Sequence, residues 1–152
     1  MNRIQKGAAG FCALAAAFIG GKEGLSQYAY PDPATRGAPW TICYGHTGHV
    51  TPGEHDSLAQ CKALLLADMS NADTAIEKCI HVPMSDSREV AVLSLAYNIG
   101  AAGVCKSSIV RDLNAGNDAA ACDDFLKYNR AAGFVMAGLT RRREEERSLC
   151  LE

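Results

Sequence analysis

Glu23-Gly24-Leu25-Ser26-Gln27-Tyr28-Ala29-Tyr30-Pro31-Asp32, followed by Trp40-Thr41-Ile42-Cys43-Tyr44-Gly45-His46-Thr47-Gly48, is the stretch that decides how this chain is read. Glu23 stands at the exit of an apolar, Ala-rich segment. Asp32 sits in a Pro-flanked turn, Pro31-Asp32-Pro33. Thr41 brings a hydroxyl on a run of β-branched and aromatic residues. Two carboxylates on different local supports have different surroundings, so their proton affinities can be pushed apart. Cleavage of a glycosidic bond needs that difference: one acid protonates the leaving oxygen and one carboxylate handles water or the sugar cation. Taken singly, Glu23 also reads as a solvated helix-end carboxylate and Asp32 as an ordinary turn residue.

Glu-x8-Asp followed by Thr-Ile-x-Tyr-Gly-His-Thr resembles the active-site signature of the phage-type lysozymes, a glycoside hydrolase family. Two later blocks, Ala96-Tyr97-Asn98-Ile99-Gly100 and Gly138-Leu139-Thr140-Arg141-Arg142-Arg143-Glu144, resemble later family motifs in the same order. The likeness covers roughly residues 20–150. It departs in one place. Eight residues separate Asp32 from Thr41, more than the family usually has, and this reads as a longer turn through Ala34-Thr35-Arg36-Gly37-Ala38-Pro39. Thr35 is thereby a rival for the role of Thr41.

The resemblance implies an α+β, lysozyme-like fold, with a small antiparallel-sheet lobe and a helical lobe joined by a long helix. It implies hydrolysis of the β-1,4 bond between N-acetylmuramic acid and N-acetylglucosamine in peptidoglycan, serving phage-induced host lysis. Glu23 would be the general acid, Asp32 the ionised partner and Thr41 the residue that positions water, with inversion at the anomeric carbon. Tyr97, Asn98 and Ser108 would contact the glycan strand. His46 and Asp68 would form a structural bond between sheet and helix, although a histidine near a catalytic hydroxyl can also act as a base. Two other readings remain: a lytic transglycosylase, which needs only the Glu, and a non-catalytic peptidoglycan-binding protein.

The rest of the chain bounds the answer. Its 152 residues suit one catalytic domain, here residues 23–152, and a 48% hydrophobic content suffices for a core. Net charge is −2, so no basic surplus exists for nucleic acid. A monomer without a cofactor is expected. Seven cysteines point to an oxidising compartment. No Cys-x2-Cys pair exists and the four histidines do not stand at ligand spacing, so no metal site is expected. Helix adjacency and the resemblance to exported relatives together suggest Cys79–Cys105, Cys122–Cys150 and Cys43–Cys61. Cys12 is left over, either a small buried residue or a thiol able to exchange.

Residues 1–22 form a separate segment: a basic start, then Gly7 to Gly21 without a charge. The uncharged run would be about 22 Å long as a helix, against a hydrocarbon core of about 30 Å. It can be a cleaved signal, the first helix of a soluble fold, or a signal anchor that later slips out of the inner membrane. The last fate resembles the signal-arrest-release endolysins, a subgroup of the same family. It implies transient inner-membrane contact through residues 7–21, then residence in the periplasm of a Gram-negative host.

Farther on, Ser57 with Gln60 reads as a capping box opening a long helix over 57–80, with Leu58, Cys61, Leu65, Met69, Ala72, Ile76 and Ile80 on one face. A second helix is expected from Ser85 or Asp86 to Gly100, then short helices near 101–105, 107–115 and 118–130. The stretch Arg141 to Arg147 mixes signs at spacings of three and four, which predicts a solvated, salt-bridged face.

Overall fold

The computed structural model describes residues 2–5, 7–33 and 35–152. Met1 and Lys6 of the basic start, and Ala34 of the longer turn, lie outside the described residues. Helix α1 (Ala9–Glu23) leads into a hairpin of β1 (Ser26–Pro31) and β2 (Trp40–Cys43). Helices α2 (Leu58–Glu77), α3 (Asp86–Ile99), α4 (Ala101–Cys105), α5 (Ser108–Asn114) and α6 (Asp118–Asp123) follow. A 3-10 turn (Asp124–Lys127), a second hairpin of β3 (Arg130–Ala131) and β4 (Phe134–Val135), and α7 (Ala137–Leu151) complete the chain. The fold is α+β and lysozyme-like.

Local chemistry sets the helix ends. At α2 the Ser57 hydroxyl accepts from Gln60 N–H at 3.1 Å while the Gln60 side chain accepts from Ser57 N–H at 2.7 Å. Ser85 caps α3 by accepting from Arg88 N–H at 3.2 Å. Gly100 ends α3 at φ +92°, a conformation that favours glycine. Helix α3 is buried on all sides from Glu89 to Ala96 and forms the centre of the core, with α1, α2, α4 and α7 packed around it. A smaller cluster of Ile42, Cys43 and Cys61 holds the hairpin to α2.

Three disulfides are present: Cys43–Cys61, Cys79–Cys105 and Cys122–Cys150. Cys12 is free and half-buried.

Three expectations need correction. The helix expected over 118–130 stops at Asp123 and tightens into the 3-10 turn, because the chain turns at Tyr128 into the β3–β4 hairpin. On α2, Leu58 is 44% exposed, and Asp73 shares the buried face. The Arg141–Arg147 stretch is salt-bridged at spacings of three and four as expected, but only Arg141, Glu144 and Glu145 are exposed, whereas Arg142, Arg143 and Glu146 are buried with Leu149 and Cys150. These five positions fall on one helical stripe, which also carries the Cys122–Cys150 disulfide. Residues 9–21 belong to α1, the first-helix form that the sequence left open. Phe11, Ala15, Ile19 and Gly20 of α1 lie in the core, and the helix runs unbroken past residue 22 to Glu23. Among the described residues, no helix is long and apolar enough to cross a membrane.

Candidate active site

Glu23 is the last residue of α1 and its side chain is 17% exposed. Two neighbours fix it. The Arg142 guanidinium of α7 lies 2.7 Å from Oε1. Oε1 has no aligned hydrogen bond among the described residues, so the contact is primarily ionic. Oε2 abuts Gly45, where an added Cβ would sit 3.3 Å away. Gly45 has φ +79°, so both its backbone and its closeness to the carboxylate call for glycine.

Arg142 is itself held. Its Nε donates to Glu146 Oε1 at 3.1 Å, and a terminal nitrogen donates to the Ser94 carbonyl at 3.3 Å. The same Glu146 oxygen accepts from the Ser94 hydroxyl at 2.6 Å and from Arg143 at 3.0 Å. Two guanidinium groups therefore share one buried carboxylate, which satisfies the requirement that buried charges be paired. Burial pushes the Arg143 proton affinity down, with Glu146 opposing it.

Asp32 and Thr41 belong to the first hairpin. Tyr30 pairs with Thr41 and Pro31 with Trp40, so Asp32 follows directly beyond the paired residues. Thr41 is 9% exposed. The longer turn folds on Asp32: its N–H donates to the Gly37 carbonyl at 3.0 Å, its carbonyl accepts from Arg36, and Oδ1 accepts from Thr35 N–H at 3.1 Å. Thr35, the rival hydroxyl, is exposed and donates to the Ala38 carbonyl at 2.8 Å within that turn.

His46 Nδ1 lies 2.8 Å from Asp68 Oδ2 on α2, and Nε2 lies 3.0 Å from the Gly48 carbonyl. Both ring nitrogens are thus engaged, and the bond ties the loop after β2 to α2. Tyr97 donates its hydroxyl to the Tyr44 carbonyl at 2.7 Å, locking α3 to the turn beside Glu23. Burial pushes the Tyr97 phenol well above its ordinary proton affinity, with Asp68 and Glu23 adding to it. Asn98 is exposed at the end of α3. Ser108 lies apart, hydrogen-bonded to Asp124. That bond, after one from Lys127, keeps the Asp124 carboxyl below the usual range.

Two depressions flank the Glu23 turn. One of about 440 Å³ is lined by Gly45 to Gly48, Asp68, Asn71 and Tyr97. The other, about 730 Å³, runs between Lys22, Met136, Leu139, Arg141 and Arg142. Sequence reasoning missed Arg142 as the partner of Glu23. Its spacing of eight residues from Cys150, two helical turns, carried that signal.

The phage lysozyme family model matches residues 20–146, which include Glu23, the first hairpin and Arg142. The chain belongs to the phage lysozyme family. The SAR-endolysin of Enterobacteria phage P21 is 37% identical over 132 residues, which cover 86% of this chain and 78% of that relative. The muramidase domain of SpmX from Asticcacaulis excentricus superposes with TM-score 0.84 at 29% identity, covering 91% of this chain and 95% of that one. The active form of the P1 phage endolysin Lyz gives TM-score 0.81 at 28% identity, over 90% and 82% of the two chains. The secreted inactive form of Lyz gives 0.54 at 26% identity, over 68% and 74%. This phage lysozyme superposes over more of its length, and more closely, on the first of the two Lyz structures than on the second.

Proposed function

We propose that this phage lysozyme is an endolysin that hydrolyses the β-1,4 bond between N-acetylmuramic acid and N-acetylglucosamine, with Glu23 as general acid. The observation that carries the reading is the placing of Glu23. It closes a helix, is mostly shielded from water, and is gripped by Arg142 next to the turn that follows Thr41. A proton donor must be held rigidly to act on one oxygen of a bound sugar. Asp32 stabilises the oxocarbenium-like state or helps activate water. Thr41 positions that water on the face opposite the leaving group, which gives inversion. Tyr97 and Asn98 border the glycan strand, with Ser108 as a farther contact.

The P21 relative, a SAR-endolysin by name, supports export with an early inner-membrane contact through residues 7–21. We infer that this chain then acts in the periplasm as a monomer.

The test uses outer-membrane-permeabilised cells. The intact protein should clear them, and Glu23→Gln should lower the rate by about 10²–10⁴-fold. Mass spectrometry of the released muropeptides should find reducing ends. Anhydro ends would instead identify a transglycosylase, and wall binding without clearing would identify a binder. Equal clearing by Glu23→Gln would move the chemistry away from this site.

A further inference from the structure

The first hairpin carries an aromatic ring in water that the chemistry at Glu23 leaves unused. Tyr28 of β1 is 68% exposed. Its ring stands against the His55 ring, with centroids 4.5 Å apart and planes tilted by 49°. A single exposed ring is ordinary on a protein surface. This one differs in how firmly it is held. Tyr28 and His55 face each other across an isolated antiparallel bridge. On either side of it, Ala29 N–H donates to the Glu54 carbonyl at 3.0 Å and Asp56 N–H donates to the Gln27 carbonyl at 2.9 Å. The Gln27 side-chain amide donates to the Asp56 carbonyl at 3.1 Å, and the Ser26 hydroxyl donates to the Tyr28 carbonyl at 2.7 Å.

The strand register shows which way the ring faces. Successive side chains of a strand point to opposite faces. Between Ser26 and Tyr30, β1 leaves β2 and takes His55 as its partner instead, so Tyr28 stays in extended pairing. Ala29 packs against the buried Ile42, Cys43 and Cys61, so it turns inward. Its neighbours Tyr28 and Tyr30 turn to the other face. Tyr30 pairs with Thr41, and cross-strand partners share a face. Thr41 adjoins Ile42, which turns inward with Ala29, and this agrees. Tyr28 and Thr41 therefore lie on one side of the hairpin, with Tyr28 about 7 Å farther along β1 than the Tyr30–Thr41 pair.

We propose that Tyr28, backed by His55, is a stacking seat for an outlying sugar of the glycan strand whose bond is cut beside Thr41. This rests on the muramidase reading for the identity of the strand. A pyranose presents C–H groups on its face and polar groups at its edge. The electron-rich face of an aromatic ring takes the first, and the tyrosine hydroxyl reaches the second. Neither contact needs a charge, which suits a chain of net charge −2 with no basic surplus to draw in a wall polymer. The ring is already held by its strand and by His55, so little ordering is left to be done on binding. Thr41 serves the bond under attack, whereas Tyr28 holds the strand farther along. The first acts on turnover and the second on capture.

The oxidised, full-length chain is assayed on peptide-free glycan strands and on the shortest oligosaccharide it cleaves. Tyr28→Ala should raise KM for the long strands about two- to tenfold, with kcat unchanged. Tyr28→Phe and Tyr28→Trp keep a ring and should keep KM close to that of the intact protein. His55→Ala should raise KM less than Tyr28→Ala does. None of these variants should move KM for the shortest oligosaccharide. In Glu23→Gln with isotope-labelled tyrosine rings, the long strands should shift the Tyr28 magnetic-resonance signal. An unchanged KM in Tyr28→Ala, an equal rise on long and short substrates, or a Tyr28 signal that the strands leave in place would overturn the seat. The ring signal is read without turnover. Strands that move it on a protein whose unsubstituted form cleaves none of them would retain the seat and reject the hydrolase. Cleavage with an unmoved ring would do the reverse.

Discussion

Helices α1 and α7 meet at Glu23, and their compositions suggest the opposite of what each does. Between Ala9 and Gly21, α1 carries no charge, yet Gly10, Ala13, Ala17 and Gly21 face outward. Helix α7 is dense with Arg and Glu, yet Arg143 and Glu146 are completely buried. The difference lies in partners. A charge can be interior when an opposite charge and hydrogen bonds travel with it. A small apolar side chain gains little from being interior, so its exposure costs little.

The sharpest way to break this contrast is to remove the shared carboxylate of α7. Glu146→Ala leaves Arg142 and Arg143 buried and unpaired, and should cost about 3–5 kcal/mol in denaturant unfolding. It should also loosen Glu23 through Arg142, so turnover should fall beyond what the unfolded fraction explains. A loss under about 1 kcal/mol would mean that water reaches the pair and that the network is not interior in solution.

Asp73 gives a second contrast, a buried acid without such company. Burial, its largest influence, lifts its pKa from the ordinary 3.8 to about 6, with Glu89 and Glu77 adding to the rise and the Ile4 and Arg3 backbone opposing it. The folded form thus holds its proton more tightly than the unfolded form. Its stabilising contribution is complete below 3.8 and is lost as pH rises through about 6. Unfolding free energy measured from about pH 4 to about pH 7 should fall by roughly 1–3 kcal/mol from this group, and Asp73→Asn should remove that slope. A slope that survives the substitution would assign it to other groups.

The smallest effect sharpens the other half. Gly21 lies on the outward face of α1, where an added Cβ meets nothing within 4 Å. Gly21→Ala should raise stability by about 0.5–1 kcal/mol through helix propensity alone, read as a small rise in Tm. A decrease would show that this face is packed against something in solution.

Much of the architecture was legible because local signals agreed with one another. Ser57 and Gln60 mark the start of α2, Ser85 and Gly100 bracket α3, and the two-carboxylate stretch directs attention to Glu23 and the first hairpin. What stayed hidden was hidden by charge or brevity. Asp73 and Ala72 fit the buried stripe of α2 about equally by spacing, and polarity favoured the alanine. Arg142 belonged to a block already matched to the family, but the alternating signs around it read as solvation. Strands of two residues, as in β3 and β4, are too short to show alternation. Asn2 and Arg3 bond to partners some seventy to ninety residues away in sequence, which no local pattern reveals.

The three disulfides close loops between residues 43 and 150, and none of them reaches α1. The helix that ends in Glu23 is thus a plug in a covalently reinforced socket, withdrawn or replaced without breaking a sulfur–sulfur bond. Covalent reinforcement therefore ends where the core's first helix begins, and Phe11, Ala15 and Ile19 are held there by packing alone.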